Sequence, residues 1–136
     1  MTLRKLSFPL LIVAAAAAVT ACDTLPVAAP QPATIPEAAQ GRWGLTAADC
    51  TSTLGDAKGL MTVGATRLTF YESRGTLTAV AERAPDRIDA SFDFTGEGMS
   101  WTRREILEVQ DNGMTLVRRE FGEDALPGPF TYTKCG

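Results

Sequence analysis

Short runs in which apolar and polar residues alternate fill most of the chain after residue 40. The clearest run is DRIDASFDFTG (86–96), in which Ile88, Ala90, Phe92 and Phe94 fall on one face and mostly polar residues on the other. Alternation with a period of two is typical of a strand that is buried on one side only. This part of the chain is therefore predicted to form β-strands, and helical periodicity is weak throughout.

The pattern predicts seven or eight strands joined mostly by short turns. In chain order the segments are GRWG (41–44), KGLMTV (58–63), TRLTFYE (66–72), GTLTAVAER (75–83), DRIDASFDFTG (86–96), GMSWTRREILEVQ (98–110), MTLVRREFG (114–122) and PFTYTK (129–134). One helical turn near Thr46 to Cys50 is also expected, because Thr46 and Asp49 have the spacing of a capping box. A meander of this size must protect its edges, and closure does so completely. The predicted fold is therefore all-β, a small antiparallel up-and-down β-barrel.

The strongest turn signal is Asn112-Gly113, which lies between two β-like runs. A two-residue loop at this point would pair Val109 with Leu116. The same register would bring together two RRE segments, residues 103–105 and 118–120. Strand alternation would then point one arginine of each segment into the barrel and the other outwards.

Four residues are candidates for binding a partner or closing the barrel: Trp43, Trp101, Arg103 and Arg118. An inward arginine could support Trp43, cap one end of the barrel or line a pocket for an anionic ligand. The alternative for the arginines is a surface ladder of cross-strand salt bridges. The default for both tryptophans is packing in the core or at its rim.

The first residues of the chain have the pattern of an export signal. Arg4 and Lys5 precede an almost wholly apolar run that ends at Ala21. This run is shorter than the roughly 20 residues that a membrane-spanning helix needs. A positive start, a short apolar run and small residues at the end indicate a signal peptide over residues 1–21.

The end of this segment, Val19-Thr20-Ala21-Cys22, resembles the lipobox of bacterial lipoproteins. The resemblance implies cleavage before Cys22, acylation of that cysteine and attachment of the chain to a membrane of the bacterial envelope. The folded domain would then lie in the periplasm. Asp23 resembles the inner-membrane retention signal of enteric bacteria, but the rule differs between lineages, so the choice of membrane stays open. The alternatives are an ordinary secretory signal with an incidental cysteine, or a spanning N-terminal helix.

The segment after the lipobox, residues 22–36, is rich in proline and alanine. Such a composition favours an extended spacer without regular structure. Residues 37–136 would form one domain, since about 100 residues is an ordinary domain size.

Two cysteines remain if Cys22 is acylated: Cys50 and Cys135. In an oxidising compartment they are predicted to form a disulfide, the alternative being two free thiols. No metal site is expected, because two cysteines without any histidine leave too few nitrogen or sulfur ligands.

Composition argues against several classes of function. The chain has no histidine, which removes Ser-His-Asp and Cys-His catalysis. The net charge of −3 and the lack of a basic stripe argue against nucleic-acid binding. Carboxylates near the predicted hairpin could act as an acid/base pair, but acidic residues on strands are more often a solvated surface; they are Glu97, Glu105, Glu108 and Glu120. We therefore expect no enzyme activity and no cofactor.

Gly41-Arg42-Trp43 resembles the G-x-W motif of the calycin barrels. In that family the tryptophan closes the base of the barrel, often under a basic residue from a late strand. The chain is also similar to the bacterial metalloprotease-inhibitor barrels, which have an early tryptophan, a nearby cysteine and a comparable length. The second resemblance implies a non-catalytic binding or inhibitor module for another envelope protein. The first implies the alternative, a carrier of a small apolar ligand, and a completely filled interior would count against it.

Overall fold

A computed structural model of the chain describes residues 33–126 and 128–136. These residues form a closed antiparallel barrel in which each strand pairs with the next, and the eighth strand pairs with the first. The predicted all-β up-and-down barrel is confirmed. The predicted signal peptide, Cys22 and most of the proline-rich segment lie outside the described residues.

All eight predicted segments contain a strand. The strands are β1 (Gly41–Gly44), β2 (Leu60–Val63), β3 (Arg67–Thr69), β4 (Ser73–Ala84), β5 (Arg87–Gly96), β6 (Met99–Gln110), β7 (Thr115–Phe121) and β8 (Phe130–Lys134). A 3₁₀ turn, Glu37–Ala39, precedes β1, and the helix α1, Ala47–Thr51, follows it. The expected helical turn is thus present, and the N–H and hydroxyl of Thr46 both donate to Asp49 Oδ2.

The barrel interior is filled by the inward faces of the strands. The four residues that the alternation of β5 places on one face are each at most 3% exposed. Trp43, Met61, Leu68, Leu107 and Leu116 are also fully buried, and all belong to one continuous core. Alternation predicted this core correctly because successive side chains of a strand point to opposite faces.

The barrel has two distinct ends. We call the closed end the one that holds the N-terminal segment and the connections after β2, β4 and β6, and the open end the one that holds the connections after β1, β3, β5 and β7. At the closed end Ile35 and Pro36 are buried, Ile35 N–H donates to Ala65 O, and Arg83 Nε donates to Thr34 O. Residues 34–36, which the sequence assigned to the spacer, therefore pack against the barrel.

The β6–β7 connection has the predicted register but a longer loop. Asn112 (φ 53°) and Gly113 (φ 88°) adopt the positive φ that a type I′ turn requires. Asp111 also has positive φ (50°), so strand pairing already ends at the pair Gln110 and Thr115. The connection therefore has four residues instead of the expected two.

Cys50 and Cys135 form the predicted disulfide, with their Cα atoms 5.2 Å apart. It joins α1 to the residue that follows β8. The ladder between β1 and β8 has only two residue pairs, Trp43 with Lys134 and Gly44 with Thr133. The disulfide thus lies beside one of the shortest seams of the barrel.

Replacing Cys50 and Cys135 together with alanine is expected to lower the free energy of unfolding by about 2–5 kcal/mol. The bond closes a loop with a sequence separation of 85, so its loss gives the unfolded chain much more freedom. Urea denaturation of the purified protein measures the effect, with Thr51→Ala on the same helix as a control that should change stability by no more than about 0.5 kcal/mol. Equal midpoints for the control and the double variant would show that the bond does not support the seam.

Candidate functional site

Trp43 lies at the closed end, where it is completely buried. Its Nε1–H donates to Ala39 O at 2.8 Å, and Lys134 Nζ lies 4.4 Å from the ring centroid. Burial lowers the pKa of the Lys134 amino group. The basic residue over this tryptophan therefore comes from the last strand, so neither Arg103 nor Arg118 supports Trp43. Both arginines line a pocket instead, which was another of the expected roles.

The other three candidates lie towards the open end. Here β6 and β7 place four charged side chains at neighbouring inward positions, which we call the charged cluster: Arg103, Glu105, Arg118 and Glu120. Glu105 and Glu120 face each other across the ladder, as the predicted register requires. The expected split of the arginines is also found, because Arg104 points outwards and pairs with Asp89 instead.

Arg118 is the centre of the charged cluster. Its Nε and Nη2 donate to the two oxygens of Glu105 at 2.8 and 3.0 Å, and Nη2 also donates to Glu120 Oε2. Its guanidinium lies 4.6 Å from the ring centroid of Phe70 and 5.3 Å from that of Phe130. A bidentate ion pair and contacts with two aromatic rings fix the orientation of this arginine.

The two carboxylates of the cluster are buried, so their interpretation as a solvated surface was wrong. Glu105 is 0% and Glu120 8% exposed. Burial raises the pKa of Glu105 to about 7, although Arg118 opposes the shift. Glu120 connects the cluster to the β7–β8 loop, since its Oε1 accepts the backbone N–H of Leu126 at 2.7 Å.

Trp101 stacks on Phe94 next to the cluster, with ring centroids 5.5 Å apart and ring planes within 9°. Arg103 Nη1 donates to Glu120, and Arg103 Nη2 donates to Glu123 O in the β7–β8 loop. Two buried donors, Trp101 Nε1 and Arg103 Nε, have no acceptor in the part of the chain that the structure describes. Unsatisfied buried donors of this kind cost about 1–3 kcal/mol each and are uncommon in folded proteins.

A cleft of about 390 Å³ lies above the charged cluster, which supplies three of its lining residues. The aromatic residues Phe70, Phe94, Trp101, Phe130 and Tyr132 form much of its wall. Exposed apolar side chains lie at its rim, namely Leu45, Tyr71 and Leu126, and Met99 follows the next turn at the same end. The open end therefore combines an apolar rim with a polar, charged floor.

The members of the charged cluster on the floor of this cleft neutralise one another within hydrogen-bond distance, since Arg118 donates to Glu105 and Glu120 and Arg103 donates to Glu120. Residues 33–126 and 128–136 contain no group of three or more His, Cys, Asp or Glu placed to hold a metal ion. Over the same ranges, no helix has the length and apolar character to cross a bilayer.

Comparison with known proteins finds no matching family model, no similar curated protein and no similar solved structure.

Proposed function

We propose that this chain is a lipid-anchored envelope lipoprotein whose barrel is a non-catalytic binding or inhibitor module for another envelope protein. Acyl chains on Cys22 would hold it to the membrane, with the barrel in the periplasm. The observation that carries the proposal is the open end, where apolar side chains surround a cleft with a charged floor.

The rim is suited to a protein partner. Scattered apolar side chains on a surface need no explanation, but a group of them beside one cleft is typical of an interaction site. Met99 and Leu126 are each 61% exposed, Leu45 is 44% exposed and Tyr71 is 46% exposed. Aromatic and arginine side chains below the rim are the residue types that dominate binding energy in protein interfaces.

The filled interior argues against the alternative, a carrier of a small apolar ligand. A carrier needs an enclosed apolar cavity, and in this barrel the inward side chains of the core occupy that space. The floor of the cleft is formed by the charged cluster, whereas a site for a small apolar ligand needs a mostly apolar lining.

Photo-crosslinking in intact cells tests the proposal with two exposed methionines at opposite ends of the barrel. Met99 is at the open end and is 61% exposed, whereas Met114 is at the closed end and is 55% exposed. p-Benzoylphenylalanine at position 99 is expected to give a discrete crosslinked envelope protein, and the same residue at position 114 is expected not to capture that protein.

Equal crosslinking from both positions would indicate encounters without a preferred face and would contradict the proposal. Lack of any product from position 99 would also contradict it. Both variants replace one exposed methionine, so differences in folding are expected to be small.

A further inference from the structure

Strand β6 is longer than its pairing with β7. The last pair of that ladder is Arg104 with Phe121, and the chain then leaves the sheet at Gly122, where φ is +139°. The first residues of β6, positions 99–103, are therefore paired with β5 on one side and with no strand on the other.

Alternation of hydrogen bonding shows which backbone groups face this free edge. In an antiparallel ladder, successive residues of a strand direct their N–H and C=O to opposite neighbours. Val109 N–H donates to Asp86 O on the β5 side, so odd residues of β6 face β5 and even residues face β7. Ser100 and Thr102 thus direct their N–H and C=O to the free edge, and these groups have no hydrogen-bond partner among the described residues.

The free edge of β6 differs from the unpaired edge of β4. Strand β4 also extends beyond its pairing with β3, which ends at Thr76. That part of β4 has two register shifts and carries Glu82 and Arg83, features that discourage pairing with a further strand. The ladder between β5 and β6 has no shift, so the edge of β6 remains regular.

A groove of about 510 Å³ runs along this edge. Residues 99–103 of β6 line one side, and Glu123 and Asp124 of the β7–β8 loop line the other. Neither acidic side chain forms an ion pair in the part of the chain that the structure covers. The groove thus offers unpaired backbone groups on one wall and uncompensated negative charge on the other.

We propose that an extended, basic segment of the partner protein binds in this groove as an added strand on β6. This inference deepens the proposed function and rests on it. Backbone hydrogen bonds to Ser100 and Thr102 would supply affinity, as in other cases of strand addition. Lysine or arginine side chains of the segment would pair with Glu123 and Asp124, and side chains on the inner face would lie over Trp101 and Arg103.

The acidic residues of the groove disfavour a second copy of this chain as the bound strand. Pairing of two identical β6 edges would bring the Glu123 and Asp124 of each copy towards those of the other. Like charges placed opposite each other across a sheet are destabilising. A basic segment has the opposite effect, because it neutralises this wall of the groove.

The test compares Ser100→Pro with Ser100→Ala in the full-length protein that carries p-benzoylphenylalanine at position 99. Proline removes only the N–H at the free edge, where it is tolerated in strands, and closes off the approach of a further strand. Alanine removes the same hydroxyl but keeps the N–H. We expect crosslinking of the partner to fall at least tenfold in Ser100→Pro and to be retained in Ser100→Ala.

Amide hydrogen exchange confirms that both variants are folded, because the odd amides of β6 and those of β5 should stay protected. A charge-removing pair, Glu123→Gln with Asp124→Asn, should also lower crosslinking, and asparagine tolerates the positive φ of 58° at position 124.

Equal yields from the folded proline and alanine variants would overturn strand addition while leaving the binding module intact. A crosslinked dimer of this chain would overturn the choice of partner. Failure of Ser100→Ala to crosslink any envelope protein would overturn the proposed function as well.

Discussion

Replacing Arg118 with methionine is expected to lower the free energy of unfolding by about 3–5 kcal/mol. The change leaves Glu105 completely buried without its bidentate partner. It also removes the cation that contacts Phe70 and Phe130. Urea denaturation at constant pH measures the loss as a lower midpoint.

The size of this loss should depend on pH, because Glu105 can take up a proton. Its pKa is raised by burial from 4.5 to about 7, so between these values the folded state binds more protons than the unfolded state. The stability that this carboxyl contributes is complete below about pH 4.5 and is lost as the pH rises through about 7. Without Arg118 to support the carboxylate, the variant should be more strongly destabilised at pH 8 than at pH 5.

Arg119 provides the matched control, since it follows Arg118 in the chain but points away from the interior. Arg119→Met should change stability by no more than about 0.5 kcal/mol. Adding Glu105→Leu to Arg118→Met should recover part of the loss, because a buried apolar pair avoids the unpaired charge. Identical midpoints for the variants at positions 118 and 119 would contradict the assigned role of the charged cluster.

Cys22→Ser is expected to abolish acylation of the chain and to leave unprocessed precursor. Serine cannot carry the thioether-linked lipid that the proposed lipobox supplies, and without lipidation the precursor should keep residues 1–21. Labelling with radioactive palmitate measures the loss of acyl chains, and the size of the product shows whether residues 1–21 were removed.

Asp23→Asn is the control for this experiment, because it keeps the cysteine and the preceding residues of the motif. It should incorporate label as the wild type does, and its distribution between inner and outer membrane tests the resemblance of Asp23 to a retention signal. Equal labelling of Cys22→Ser and wild type would show that the anchor is elsewhere.

The strands and much of their pairing could be predicted from the sequence because both depend on local patterns. Alternation in β5 identified the four buried residues of that strand, and Asn112-Gly113 fixed the register of β6 with β7. The disulfide followed from the expected compartment and from the small number of cysteines. Each of these inferences needs only neighbouring residues or a single pairing.

The candidate site was harder to predict because it depends on closure of the barrel. The register that pairs Glu105 with Glu120 also places them on the inward face, but buried carboxylates are rare, so an exposed position was the better expectation. Both carboxylates can be buried because Arg118 and Arg103 form ion pairs with them inside the barrel.

Contacts between distant parts of the chain could also not be predicted from the sequence. The position of Lys134 over Trp43 requires β8 to pair with β1, and no turn fixes the register of these two strands. The packing of Ile35 and Pro36 against the closed end was not predicted, because the proline-rich composition of this segment is typical of a spacer. Long-range pairing of this kind is set by the completed sheet and not by local pattern.

Because the chain enters the barrel at the closed end, a membrane anchor upstream would orient the barrel relative to the membrane. Thr34 and Ile35 are held against that end, so a lipid anchor proposed at Cys22 would pull on the barrel from its closed side. The residues between Cys22 and Thr34 can span at most about 40 Å. The open end would then face away from the bilayer, and a partner would bind it from the periplasmic side. The length of the segment between Cys22 and Thr34 would limit how far from the membrane this binding can occur.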